Sequence, residues 1–94
     1  MKKTIIILIS CLFISASKPI RDCKCDNIHL SGRVRVVESH ANFRVKIIDS
    51  HADLEVKRVN YSSKNCGKWQ FVDTHSDFTI QFVNSHEDFK IKFK

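Results

Sequence analysis

The sequence predicts an all-β protein built from two three-unit halves of eleven-residue strand–turn repeats. Three observations lead there. A histidine and an apolar block recur on an eleven-residue beat, the blocks are filled with β-branched and aromatic residues, and a longer repeat contains the short one.

The chain has 94 residues, which caps it at one domain. Its first stretch stands apart from that domain. Met1-Lys2-Lys3 is a basic start, "TIIILISCLFISA" (4–16) is an uncharged apolar run, and small residues follow at Ser15, Ala16 and Ser17. This layout predicts a secretory signal peptide over residues 1–17, cleaved after Ala16 or Ser17. The run falls well short of the ~20 apolar residues that span a bilayer, so no transmembrane segment is expected in the mature chain. "LISC" (8–11) resembles a lipobox, which makes lipid anchoring through Cys11 the lesser alternative to ordinary secretion or periplasmic release. Residues 18–27 form a short Cys-containing segment, and residues 28–94 form the single duplicated domain.

The histidines His29, His40 and His51 are evenly spaced, and so are His75 and His86. Apolar blocks keep the same beat: "VRVV" (34–37), "VKII" (45–48), "VKRV" (56–59), "WQFV" (69–72), "IQFV" (80–83) and "IKFK" (91–94). Looking for repeats first makes the chain legible, because one such unit cannot bury its apolar face alone. The halves 32–59 and 67–94 align without gaps, each opening on a glycine (Gly32, Gly67), and the polar stretch "NYSSKNC" (60–66) joins them.

Each block reads apolar–polar–apolar–apolar, which is short-strand chemistry with the first and third residues facing one way. An eleven-residue period also suits a right-handed helical supercoil. The dominance of Val, Ile and Phe in the blocks and the scarcity of Ala exclude it. Between blocks stands Ser/Thr-His-x-Asp/Asn. The hydroxyls of Ser39, Ser50, Thr74 and Ser85 and the side chains of Asn42, Asp53, Asp77 and Asp88 are expected to bond nearby backbone N–H groups, as in a capping box. Phe43, Leu54, Phe78 and Phe89, with Trp69, Phe71 and Phe82, are the predicted core anchors.

Loss of Lys2 and Lys3 lowers the formal net charge from +6 to +4. Cations alternate with apolar residues (Arg33, Arg35, Arg44, Lys46, Lys90, Lys92), as solvated strand faces do. No aromatic is interleaved to stack bases, so no specific nucleic-acid partner is expected. Cys23, Cys25 and Cys66 remain after cleavage. Cys23 and Cys25 are too close for an unstrained bridge, so Cys66 is expected to pair with one or the other. Such a bridge is worth ~3–4 kcal/mol on the chain-entropy model. The leftover cysteine raises a possible homodimer or a reactive thiol.

"GKWQFVDTHSDFTIQFVNSHEDFKIKFK" (67–94) resembles the second half of the septoil-knot family, small bacterial β proteins whose chain carries a seven-crossing torus knot. The matching features are Gly-x-Trp-x-Phe-Val and the recurring Val-Asp/Asn-Ser/Thr-x-x-Asp-Phe-x-Ile-x-Phe. The first half matches more loosely, from "IHLSGRVRVV" (28–37) to Val59. The resemblance implies that the two halves intertwine and that the chain threads deeply through itself. It implies no activity and supplies no functional residues. Relatives commonly carry an aromatic where this chain has His40, His51, His75 and His86, and often a proline next, where it has Ala, Ser or Glu.

The histidines are therefore expected to replace that aromatic at a half-buried turn position. A second reading makes His40, His51, His75 and His86 a metal-ligand row, with Asp53, Asp77 or Asp88 as outer acceptors. A third makes them a pH sensor, charging together near pH ~6. No catalytic residue, cofactor or cofactor-binding residue is predicted: Ser-His-x-Asp in sequence is not a triad in space, and no Gly-rich phosphate loop is present. The sequence thus predicts an exported, non-enzymatic, stable structural or binding module with no partner identified. A metal-binding protein is the first alternative, and a small secreted toxin or effector enzyme the second.

Overall fold

The computed structural model describes residues 19–94. The predicted signal peptide, its cleavage site and Cys11 lie outside them. Two short strands, β1 (Lys24–Cys25) and β2 (Ile28–His29), precede six longer ones: β3 (Gly32–Val36), β4 (Phe43–Ile47), β5 (Leu54–Arg58), β6 (Lys68–Phe71), β7 (Phe78–Phe82) and β8 (Phe89–Phe93). The apolar blocks are the strands, and the Ser/Thr-His-x-Asp/Asn segments are the turns.

The six strands close into a barrel in the order β3-β6-β5-β8-β4-β7. Every pairing is parallel, and every one joins a strand of the first half to a strand of the second. Parallel neighbours normally need a crossover of a dozen residues or more. Here the neighbours come from different halves, so short turns suffice. The segments 37–42 and 48–53 each step past one strand of the other half, as do 72–77 and 83–88. The two halves are two interleaved coils.

Alternation decides the core. Phe43 and Val45, Leu54 and Val56, Phe78 and Ile80, Phe89 and Ile91 point inward with Val34 and Trp69, and all are buried. Phe43, Phe78, Phe89 and Trp69 make edge-on or tilted ring contacts at 5.4–5.8 Å. Phe82 departs from the predicted core, since it is 40% exposed, and Phe71 is only partly buried. Both have inward parity but close their strands, beyond the last filled layer of the barrel.

The turn carboxylates also depart from expectation. They cap no local turn; they clamp the opposite half. The Asp77 N–H donates to the Arg33 carbonyl (2.7 Å), and Asp77 Oδ2 accepts from the Arg33 N–H (2.8 Å). Asp88 holds Arg44 in the same way (2.6 and 2.8 Å). So does Asp53 with Lys90 (2.9 and 2.8 Å). Asn42 Oδ1 accepts from the Thr79 N–H (2.8 Å), and the Asn42 N–H donates to Thr79 Oγ1 (2.8 Å). Each clamp residue stands just before a strand of one half and grips the second residue of a strand in the other.

The segment before β3 covers the end where the strands start. Leu30 and Cys25 are fully buried in the core, with Ile20, Cys23 and Ile28 packed against it. The Leu30 carbonyl accepts from the Trp69 indole N–H and the Gly67 N–H, both at 3.0 Å. The disulfide joins Cys23 to Cys66 across a Cα–Cα distance of 5.8 Å, and Cys25 goes to the core instead. Gly32 and Gly67 have φ of +99° and +78°; a side chain there would strike the Asp77 carboxylate or the Glu55 carbonyl. That explains why each half opens on glycine.

Candidate functional site

The four turn histidines have one backbone feature in common. His40, His51, His75 and His86 all adopt the left-handed conformation, with φ between 57° and 61°. Histidine, like Asn and Asp, is enriched there among residues with a Cβ. All four are exposed, so the predicted half-buried packing role is corrected: the ring does not fill a gap in the fold. In each case Nδ1 shares a hydrogen bond with the preceding hydroxyl, of Ser39, Ser50, Thr74 or Ser85, at 3.1–3.3 Å. His29 differs; it lies in β2 and bonds Ser31 Oγ at 2.7 Å. Among the described residues, no three His, Cys, Asp or Glu side chains converge as ligands of one ion would.

The end where the strands finish is built differently. Val36, Ile47, Arg58, Phe71, Phe82 and Phe93 are the last residues of β3 to β8. Parallel winding brings them to one mouth. Val36, Ile47 and Phe82 are 45%, 50% and 40% exposed. Phe93 bridges Phe71 and Phe82, with ring centroids 6.3 and 6.5 Å apart. The Arg58 guanidinium lies 4.7 Å from the Phe93 ring centre and 5.3 Å from that of Phe71, a double cation–π contact. Tyr61, the other large exposed hydrophobic residue among those described, follows β5 by three positions.

A family model described as the 7(1) septoil knot domain matches residues 27–94. The chain belongs to the septoil-knot family. The closed all-β barrel of two interleaved halves is consistent with that domain. No curated protein matches the chain.

Charge in this knot domain is graded along the strands. Near the strand starts, cations meet acids: Arg33 and Asp77 at 3.6 Å, Arg44 and Asp88 at 3.9 Å, Lys90 and Glu87 at 3.2 Å. The Glu87 carboxyl is held below its ordinary range, first by a hydrogen bond from its own backbone N–H and then by Lys90. Toward the strand ends, the outward residues are Arg35, Lys46, Lys57 and Lys92, with Gln70 and Gln81 in the remaining two strands. No strand carries an acid at that position.

Of the predicted site residues, the structure brings Cys23 and Cys66 together and distributes the four histidines over four separate turns. The mouth residues Val36, Ile47, Arg58 and Phe93 did not stand out in the sequence. Their signal was a fifth strand position recurring on the same beat with inward parity. Reading it as a surface needs the knowledge that only the opposite end is plugged.

Proposed function

We propose that this protein is an exported, non-enzymatic module that works by binding and whose fold is built to resist unfolding. One observation carries the reading: each barrel strand is flanked on both sides by strands of the other half, so neither half can peel away alone. The four Asx clamps and the Cys23–Cys66 bridge reinforce that interlock. A disulfide of this kind persists in oxidising compartments, which supports secretion or periplasmic release. The exposed mouth supplies the binding surface, since contiguous apolar exposure on a small soluble domain marks interaction sites.

The test is proteolysis of the native protein alongside equilibrium unfolding, for the wild type and C23S/C66S. Removing the bridge is expected to lower stability by about 4 kcal/mol, as closure of a loop of this length implies. Native-state cleavage of both proteins is expected to remain slow, because the interlock and not the bridge limits opening. Rapid cleavage of the oxidised wild type overturns the reading.

A further inference from the structure

We propose that the strand-finish mouth of the barrel docks on an anionic lipid bilayer. Three independent features meet there. First, the exposed apolar side chains Val36, Ile47 and Phe82 all protrude at this end. Second, the adjoining outward positions are cationic or neutral in all six strands, with Arg35, Lys57 and Lys92 exposed. Third, most of the cations are partitioned by partner. Arg33, Arg44 and Lys90 near the strand starts face Asp77, Asp88 and Glu87. At the finish Lys94 pairs with Glu55 at 3.4 Å, whereas among the described residues Arg35, Lys57 and Lys92 form no ion pair. Lys46 lies within electrostatic reach of Glu87. Glu38, Asp49 and Asp73 begin the turns beyond this rim, so its positive excess over them comes from counting Lys46 and Arg58 with Arg35, Lys57 and Lys92.

Apolar tips beside a rim with more cations than acids are the chemistry that binds peripherally to acidic membranes. The tips enter the acyl boundary, and the cations meet lipid headgroups. A second copy fits less well, because a mouth-to-mouth dimer sets two cationic rims against each other. A polar acidic polymer fits less well too, because it leaves Ile47 and Phe82 without an apolar partner. The inference rests on the protein being a binding module, and it adds the partner.

The experiment is vesicle co-sedimentation of protein recovered after expression of the full chain, with its N-terminus read by mass spectrometry. Phosphatidylcholine vesicles are compared with phosphatidylcholine vesicles containing phosphatidylglycerol. Two double variants add equal negative charge: I47D/F82D at the mouth and N27D/S62D at the plugged end. Partitioning onto the anionic vesicles alone is expected for wild type and N27D/S62D, with a drop of roughly tenfold or more for I47D/F82D, the size expected from losing two membrane-inserted apolar groups. Circular dichroism and the thermal midpoint check that each variant is folded.

The proposal is overturned by equal binding of I47D/F82D, by equal loss in N27D/S62D, or by no binding of the wild type. It is also overturned by a dimer in light scattering that I47D/F82D dissolves, which would assign the mouth to a second copy. Any of these leaves the protease-resistance test of the module untouched, so the two readings fail separately.

Discussion

The two ends of the barrel are made from the same repeat and have opposite character. Where the strands start, Phe43, Leu54, Phe78 and Phe89 are buried; where they finish, Val36, Ile47 and Phe82 are exposed. The start carries the Leu30 plug, the disulfide, both glycines and the four Asx clamps, whereas the finish carries an aromatic cluster around Arg58. The difference teaches that repeat symmetry sets the strands, while residues outside the repeat decide which end is stability and which is surface. Apart from His29, residues 20–31 and 60–66 fall outside the eleven-residue beat, and they supply the plug and its covalent tie.

The sharpest way to break this contrast is Trp69→Ala. The indole is fully buried and holds the plug through Leu30. A loss of about 3–5 kcal/mol is expected in chemical denaturation, the usual range for a large aromatic truncated in a core. A loss below about 1 kcal/mol would mean that the plug is not anchored there, well under that range.

Asp88→Ala comes next. It leaves the Arg44 N–H without its carboxylate at a site only 9% exposed, and should cost about 1–3 kcal/mol. Asp53→Ala removes the equivalent clamp where solvent can replace it, so a smaller loss is expected. Equal losses would show that clamp strength follows strand pairing and not burial.

The smallest effects should come from the histidine turns. His75→Asn keeps a residue suited to the left-handed conformation and should change stability by less than about 0.5 kcal/mol. His75→Val should cost about 1–2 kcal/mol, because a β-branched side chain is poorly tolerated at φ 57°. If both variants behave alike, backbone conformation is not what selects histidine at these turns.

Much of this fold was legible in the residues. The blocks mark the six barrel strands, and the inward parity of Phe43, Phe78, Phe89 and Trp69 follows from simple alternation. The bridge was narrowed to Cys66 with Cys23 or Cys25, but only three-dimensional placement separates them, since the two alternatives differ by two residues in loop length. The clamps were unreadable for a different reason. Asp88 and Arg44 are 44 residues apart, and a turn motif in sequence cannot reveal that its acceptor serves another coil. Histidine invited a chemical reading because its ring is versatile, yet what its four positions have in common is a backbone angle. The mouth was hidden because exposure of Ile47 and Phe82 depends on which end the plug occupies.

The pairing of every barrel strand with the opposite half also sets a timetable. As the chain emerges from its N-terminus, β3, β4 and β5 find no partner among themselves, and their ladders stay open until β6 to β8 arrive. The Lys94 N–H, just past β8, donates to the Val56 carbonyl in the first half. Closure of the barrel therefore waits for β8 to dock between β5 and β4. A polypeptide with this wiring stays threadable until then, and locks as a whole rather than piece by piece.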